Sequence, residues 1–414
     1  MATFLILLVQ AGTTFYSFSI LMKPLMAEFG WSRMATSTAQ TICTLCSAFS
    51  GLLVGRLIQR VSIKKIILTG ALTGVTALLL LSRISNIVHL YVLYAMIGIG
   101  LGGGAGILTA GVLIANWFNK KIGTAMGIST VGISMGAVIL VPLIRLVMDN
   151  YGWRGAYIFM GASVFVIDIP LALFVLKTAP AQMGLFPDGI KPSPTKQLST
   201  NKNADPVDKI NNSNKSSLSM MIKKPVLWLL CIGMGTCLIG EMSIMNHEAA
   251  FITDMGIPAA QAAAAISFTG GMGAIGKITF GRLCDKLSAR YVIILCFLLQ
   301  FIGILILKQT TTMNMVWLFV IVFGFSMGGF VTLQPLAVRN LFGKTNFAMI
   351  LGFSSLIINV LGTAGPPFAG FIYDTTGSYH TAFNVFTITY IIAAILVYFA
   401  WGRKPQPLRN PDSY

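Results

Sequence analysis

Twelve long apolar segments, spread along the whole chain, constrain its fold more than any other feature. A helix needs about 20 apolar residues to cross the hydrocarbon core of a bilayer. The segments are close to this length, and none alternates apolar and polar residues as the strands of a membrane barrel do. The predicted segments are 3–21, 36–56, 65–82, 89–115, 122–147, 155–176, 225–250, 260–283, 290–307, 313–337, 346–372 and 381–401. We therefore predict an all-α integral membrane protein with twelve transmembrane helices.

The composition of the chain also favours a lipid environment. Of its 414 residues, 55% are apolar and only 10% are charged, and the mean hydropathy is +0.80. An ordinary soluble domain carries about 25% charged residues. A soluble globule of this size could not bury so much apolar surface, which argues against a soluble enzyme.

The formal net charge of +17 would indicate a nucleic-acid partner in a soluble protein. Here 22 of the Lys and Arg residues fall in one alternating set of loops and in the tail, and five fall in the other set. Loops rich in Lys and Arg stay in the cytoplasm, so both termini are predicted to be cytoplasmic and no nucleic acid is expected. No basic segment precedes the first apolar run, so we interpret that run as a span and not as a removable signal peptide.

A polar segment divides the spans into two groups of six. Residues 177–224 are rich in Lys, Asn, Ser, Pro and Asp, and such a composition cannot form a packed core. The predicted organisation is a six-helix bundle at 1–176, a cytoplasmic linker at 177–224, a second six-helix bundle at 225–401 and a cytoplasmic tail at 402–414.

Short motifs recur in the two halves at a shift near 226 residues. The pairs are Glu28-Phe29-Gly30 with Asp254-Met255-Gly256, Gly98, Gly102 and Gly103 with Gly324, Gly328 and Gly329, and Asp149 and Gly152 with Asp374 and Gly377. This order predicts two parallel repeats related by an axis normal to the membrane, with a substrate site between them near the midplane.

One loop motif of each half resembles the loop signature of the major facilitator superfamily. The first copy runs Gly55-Arg56-Leu57-Ile58-Gln59-Arg60, and the second, which is more similar, runs Gly281-Arg282-Leu283-Cys284-Asp285-Lys286. The candidate signature residues are Gly55, Arg56, Arg60, Gly281, Arg282 and Asp285. The first copy departs from the family pattern at Gln59, where the family has Asp. The resemblance implies a twelve-helix transporter that works by alternating access.

Further motifs resemble the bacterial branch of monocarboxylate porters and oxalate/formate exchangers. They are Tyr16-Ser17-Phe18 with Lys23-Pro24-Leu25, Glu28-Phe29-Gly30-Trp31-Ser32, Asn116-Trp117-Phe118, Tyr151-Gly152-Trp153-Arg154 and Gly184-Leu185-Phe186-Pro187-Asp188-Gly189. This resemblance implies a monomer in the bacterial cytoplasmic membrane that carries a small organic anion. No cofactor and no metal are expected.

Lys277 is the main candidate for substrate binding, because an ionisable group inside a span is costly. The resemblance implies that a cation at this place in helix eight holds the substrate carboxylate. The alternative is that Lys277 reaches the cytoplasmic surface about 6 Å away.

Three uncharged residues are further candidates for substrate binding. Tyr16 is expected either to close the pocket or to pack in the core. Gln334 and Asn359 are expected either to contact substrate or to pair helices.

Glu241 is the main candidate for proton coupling, since it lies slightly past the midplane of helix seven. The acid that the porters carry four residues before the helix-eight cation is replaced here by Gly273. No direct ion pair between Glu241 and Lys277 is expected, and the alternative role for Glu241 is a structural, protonated side chain. His247 is the second coupling candidate, or it caps polar groups at the interface. For Asp168 we predict a structural hydrogen bond.

Other motifs indicate no chemistry. Gly132-Ile133-Ser134-Met135-Gly136 and Gly324-Phe325-Ser326-Met327-Gly328 spell a nucleophile elbow, but in each the Ser lies within a predicted helix and not after a strand. Cys43-x-x-Cys46 has no second pair for a metal. The chain has no phosphate-binding loop of an ATP-driven pump. An enzyme is therefore not predicted.

The function predicted from the sequence is secondary active transport of a monocarboxylate such as lactate or pyruvate, coupled to a proton. Helix eleven, about 346–372, contains no Lys or Arg, and a single core cation favours a monoanion. The alternatives are an anion exchanger of the oxalate/formate type, a transporter of an unrelated small solute, and a membrane sensor or enzyme.

Overall fold

The computed structural model describes residues 1–58, 60–118, 122–178, 180–183, 223–343 and 347–402. Every regular element in these ranges is helical. The helices of the first half are α1 (Ala2–Phe29), α2 (Arg33–Leu57), α3 (Ile63–Leu81), α4 (87–117), α5 (122–151) and α6 (153–175). Those of the second half are α7 (Pro225–Asp254), α8 (Ala259–Lys286), α9 (Ala289–Gln309), α10 (Met313–Phe342), α11 (347–376) and α12 (His380–Gly402).

Ten stretches within the described ranges are long and apolar enough to cross a membrane. One of them, Ala125–Val175, has 51 residues, which as a straight helix would be about 75 Å long, more than twice the hydrocarbon thickness. It is broken at Gly152, whose φ of 69° is left-handed, and therefore makes two spans. The remaining helix, α8, has 28 residues and many small side chains, which lower its hydropathy. With the division at Gly152 and with α8, the described residues contain the twelve helical spans that the sequence predicts.

Most of the helices extend further than the apolar segments. The helix predicted at 3–21 continues to Phe29, and the helix predicted at 225–250 continues to Asp254. The apolar count stops early because charged residues such as Lys23 and Glu28 follow, although they continue the helix. α1 ends only where Gly30 adopts a left-handed φ of 68°, as glycine commonly does after a helix.

The two halves are packed in the same way. In the first half, α1 packs against α5, α2 against α4, and α3 against α6. In the second half, α7 packs against α11, α8 against α10, and α9 against α12. Between the halves, α2 contacts α11, α5 contacts α8, and α1 contacts α7. This pattern is the one expected of two parallel six-helix repeats.

Glycine contacts show the repeat at the level of single residues. A Cβ at Gly98 would clash with the backbone of Cys43, and a Cβ at Gly324 would lie 2.8 Å from the backbone oxygen of Thr269. Gly324 lies 226 positions after Gly98, and Thr269 lies 226 positions after Cys43. Gly152 and Gly377 likewise share a left-handed φ of 69°. The sequence repeat is therefore also a repeat of helix contacts and turns.

Two motifs of the first half meet at one end of the molecule. The Glu28 carboxylate, at the end of α1, accepts hydrogen bonds from Trp153 Nε1 at 2.5 Å and from Arg154 Nη2 at 2.6 Å. Because α6 begins at residue 153, this contact joins the ends of two helices within one bundle. The charge distribution predicts that this end, where α1 meets α2 and α7 meets α8, faces outward, and we refer to it as the outer end.

Parts of the predicted organisation lie outside the described residues. These are most of the linker, the motif at 184–189 and the tail from residue 403, while the side chains of Arg56 and Asp285 are also not described. The predicted hydrogen bond of Asp168 is wrong, since both of its buried carboxylate oxygens lack a partner among the described residues.

Candidate substrate site between the two bundles

Lys277 is buried between the two bundles. Its side chain extends from α8 to α5 and donates a hydrogen bond to Ser134 Oγ at 2.8 Å and a longer one to the backbone oxygen of Thr130 at 3.4 Å. The residue is 8% exposed, so the alternative of a side chain that reaches the surface is not what the structure shows. A buried ammonium requires polar partners, and here α5 supplies them from the other half of the molecule.

Small residues allow α8 to approach its neighbours closely. A Cβ at Gly270 would clash with Ala137 of α5, and a Cβ at Gly276 would clash with the Phe325 backbone of α10. Gly273, which stands where the porters carry an acid, lies under Met327 and close to Ser134. The missing side chain therefore leaves the space in which α8 packs against both neighbours, while Lys277 remains the charged group of this contact.

Glu241 lies in the interior of the second bundle. It is 3% exposed, and its Oε2 accepts a hydrogen bond from Gln300 Nε2 of α9 at 3.1 Å. In the described part of the chain no carboxylate oxygen lies within 4.0 Å of Lys277 Nζ, although Glu241 and Lys277 are close enough to interact through space. The absence of a direct ion pair agrees with the sequence prediction, and a bound anion or water is the group that could connect them.

Tyr16 lies on α1 at the junction with the second bundle. It is buried, and its hydroxyl is within electrostatic range of both Glu241 and Glu248. One turn further along α1, Ser19 Oγ accepts a hydrogen bond from the Ala249 backbone nitrogen at 3.0 Å. Tyr16 therefore lies within electrostatic range of the two α7 carboxyl groups, on a helix that contacts the second bundle.

Gln334 and Asn359 meet around Ser355. Gln334 Nε2 donates to Ser355 Oγ at 2.8 Å, and Asn359 Nδ2 donates to the Ser355 backbone oxygen at 2.7 Å. The first bond joins α10 to α11 inside the second bundle, and the second bond lies within α11. Both side chains are partly buried.

His247 and Glu248 make separate contacts on the outer part of α7. His247 Nε2 lies 2.9 Å from the Pro366 backbone oxygen, which can only accept, so this nitrogen carries the hydrogen. His247 Nδ1 then accepts from the Tyr379 hydroxyl at 2.9 Å. Glu248 Oε1 accepts from Thr269 Oγ1 of α8 at 2.8 Å. His247 is thus held between α11 and the loop before α12.

A charged network closes the outer end. Arg33, at the start of α2, lies 2.7 Å from the Asp254 carboxylate and donates to the Tyr379 hydroxyl at 2.6 Å. Lys23 of α1 approaches the same carboxylate at 2.6 Å.

A second acid contacts the start of α2. Asp374 of α11 accepts hydrogen bonds from the Arg33 backbone nitrogen at 2.9 Å and the Met34 backbone nitrogen at 2.8 Å. All of these contacts connect one bundle to the other.

The loop signature residues lie at the opposite end. Arg60 and Arg282 are exposed, and a Cβ at Gly55 would meet nothing within 4 Å. A Cβ at Gly281 would make only ordinary contact with Thr332 at 3.5 Å. Within the described residues, the contacts that hold the two bundles together are therefore concentrated toward the outer end and at Lys277.

Neither Ser134 nor the network around Arg33 was predicted from the sequence. Ser134 was dismissed together with the nucleophile-elbow string, although a Ser facing a buried Lys is a polar contact worth expecting. The internal repeat could have indicated the outer network, because Asp254 occupies the position in the second half that Glu28 occupies in the first. The second half has Tyr379 where the first half has Arg154, so Asp254 needed a cation from elsewhere.

Comparisons with known proteins agree with this architecture. The chain matches the Major Facilitator Superfamily over residues 2–338 and 242–413. It is 26% identical to "Monocarboxylate transporter 12" of Rattus norvegicus, with 81% of this chain and 71% of the relative covered. It is 25% identical to "Uncharacterized MFS-type transporter YcxA" of Bacillus subtilis (strain 168), with 88% and 85% covered.

Solved structures share the fold at low sequence identity. A bacterial homolog of the human lysosomal transporter Spinster aligns with a TM-score of 0.73 at 14% identity and covers 98% of both chains. A D-xylose-proton symporter aligns with a TM-score of 0.72 at 14% identity, with 98% of this chain and 96% of that chain covered. Twelve spans in two repeated bundles, together with the family match, show that this chain belongs to the major facilitator superfamily and is a multi-pass membrane transporter, not an enzyme.

Proposed function

We propose that this chain is a secondary active transporter of a small organic monoanion, a monocarboxylate such as lactate or pyruvate, which it moves together with a proton. The observation that carries the proposal is the buried Lys277 ammonium, which lies between the bundles with only neutral oxygens as close partners in the described structure. A carboxylate is a stronger partner for an ammonium than a hydroxyl is. The relatives named monocarboxylate transporters support the same class of substrate.

In this proposal each candidate residue has one role. Lys277 binds the carboxylate, Tyr16 closes the pocket, and Gln334 and Asn359 supply polar contacts from α10 and α11. Glu241 carries the proton, and His247 is the alternative carrier. The cation count supports a monoanion, since 347–376 contains no Lys or Arg that could hold a second carboxylate.

Transport proceeds by alternating access between the bundles at 1–176 and 225–401. The outer network has to open to admit substrate, and the loop signature residues position the other ends of the helices. We place the protein in the bacterial cytoplasmic membrane as a monomer. The termini, the linker at 177–224 and the tail at 402–414 are on the cytoplasmic side, as the distribution of Lys and Arg indicates.

Uptake into proteoliposomes tests the proposal against the exchanger alternative. Labelled lactate and pyruvate are supplied either with an inside-alkaline proton gradient or with the same unlabelled anion inside. A proton symporter concentrates the label with the gradient alone, whereas an obligatory exchanger needs the internal anion. Failure to move either carboxylate under both conditions, by protein that retains its melting temperature, would contradict the proposal.

A further inference from the structure

Two glycines flank Ser134 in the segment that resembles a nucleophile elbow, and both pack against α1. A Cβ at Gly132 would clash with the Phe4 backbone, and a Cβ at Gly136 would clash with the Leu8 backbone, both on α1. The two glycines therefore fix α5 against α1. Ser134 lies on another face of α5, is completely buried, and meets α8 of the other bundle.

The Ser134 hydroxyl gives the buried Lys277 ammonium a hydrogen-bond acceptor when no anion is bound. An ammonium in a span is costly unless it is hydrogen-bonded. Its partners here are one hydroxyl at 2.8 Å and one backbone oxygen at 3.4 Å, and both belong to α5. A hydroxyl is a neutral acceptor, so its bond to the ammonium is weaker than the bond that a carboxylate would make.

We propose that Ser134 is the partner of Lys277 in the empty transporter, and that the substrate carboxylate takes the place of the Ser134 hydroxyl when it binds. Ser134 is then a positioning residue that acts through Lys277. This inference rests on the proposed role of Lys277 in binding the carboxylate. It adds that the contact between α5 and α8 alternates with substrate occupancy.

The exchange of partners has a kinetic consequence. In net uptake the empty transporter must return with Lys277 buried and no anion bound, so it depends on Ser134. In counterflow the transporter returns loaded, and the carboxylate accompanies Lys277 in both directions. Loss of the Ser134 hydroxyl should therefore slow net uptake and spare counterflow. It should also tighten binding of the anion, because a competitor for the ammonium has been removed.

The experiment compares Ser134→Ala and Ser134→Thr with a matched control on the same helix. The control is Ser129→Ala, since Ser129 Oγ bonds to Thr3 Oγ1 at 2.7 Å inside the first bundle. Net uptake and counterflow are measured in proteoliposomes with labelled lactate or pyruvate, whichever the unmodified protein concentrates. Ser134→Cys, which fills a similar volume with a weak acceptor, serves if the alanine variant does not fold.

For Ser134→Ala we expect net uptake to fall about tenfold, counterflow to stay within about twofold, and the half-saturation concentration to decrease. Ser134→Thr keeps the hydroxyl and should retain net uptake, and Ser129→Ala should change neither flux. An equal loss of both fluxes in Ser134→Ala, or no change in either, would overturn the inference. The proposed function fails in a different way, by loss of carboxylate transport in the unmodified protein.

Discussion

The Arg33 guanidinium, at the start of α2, lies 2.7 Å from the Asp254 carboxylate, at the end of α7, and so joins the two bundles. The repeat counterpart of Asp254 is Glu28, which binds Arg154 within its own bundle at 2.6 Å. The second half has Tyr379 where the first half has Arg154, and the missing cation comes from across the interface. The same acidic position therefore makes a contact within its own bundle in one half and a contact between the bundles in the other.

The first prediction concerns this contact between the bundles. Asp254→Asn should weaken closure of the outer end, because it removes the charge that Arg33 and Lys23 share. A cysteine at Ser37, which is fully buried and donates to the Pro366 backbone oxygen of α11 at 3.2 Å, reports this closure. In a background without the native cysteines, Ser37→Cys should react with an impermeant maleimide at least about fivefold faster when Asp254→Asn is present.

Glu28→Gln is the matched control for Asp254→Asn. It changes the repeat-equivalent acid, whose partners Trp153 and Arg154 lie in the same bundle as Glu28 itself. It should leave the labelling rate unchanged. Equal acceleration by both changes would mean that general loosening, and not opening between the bundles, exposes Ser37→Cys.

The fold was predictable because it depends on quantities that the sequence displays directly. Apolar length gives the spans, and the shift of 226 residues gives the repeat. Gly98 and Gly324 illustrate this, since they occupy equivalent contacts in the two halves. Helix ends were less accurate, because charged residues such as Lys23 continue a helix beyond the apolar core.

The candidate site was only partly predictable. The depth of Lys277 along α8 follows from counting residues, but its partners depend on how α5 and α8 are rotated against each other. That rotation is set by contacts between small residues, such as Gly270 with Ala137. The pattern of residues along one sequence does not reveal which small residues meet. For the same reason Ser134 was dismissed, and Asp168 was expected to have a hydrogen-bond partner that the described structure does not contain.

The second prediction tests the close contact between α2 and α4. Gly98→Ala should destabilise the protein by about 1–3 kcal/mol, because the added methyl group clashes with the Cys43 backbone, which cannot move independently of α2. The measurement is the thermal unfolding of the purified protein in detergent. Gly127→Ala is the control, since a Cβ there meets nothing within 4 Å. It should be neutral or more stable by up to about 1 kcal/mol, and similar losses in both variants would contradict the packing argument.

The third prediction concerns proton coupling at Glu241. A carboxylate that crosses the membrane alone carries a charge, which is costly, whereas a proton taken up with it makes the step neutral. Uptake should therefore accelerate as the outer solution becomes more acidic. Glu241→Gln mimics the protonated side chain permanently, so it should lose accumulation driven by a proton gradient while it keeps counterflow.

Glu248→Gln is the control for Glu241→Gln, because it makes the same change seven residues further along α7. Its carboxyl group bonds to Thr269 of α8 and not to Gln300 of α9. It should retain accumulation. If Glu241→Gln still concentrates substrate when only a proton gradient is supplied, Glu241 is not the coupling residue, and His247 or the proton of the substrate itself becomes the better candidate.

Binding of carboxylates to Lys277 variants tests the central claim most directly. Lactate and pyruvate are titrated into purified unmodified protein, Lys277→Arg, Lys277→Gln and the control Lys308→Gln, which removes a partly exposed cation bonded to Asn384. Lys277→Gln should weaken binding by about tenfold or more, the scale of a lost hydrogen bond to a charged group. Lys277→Arg keeps the charge in a different geometry and should bind with intermediate affinity, while Lys308→Gln should bind like the unmodified protein. If folded Lys277→Gln binds these carboxylates as tightly as the unmodified protein does, Lys277 does not hold the substrate and the account is wrong.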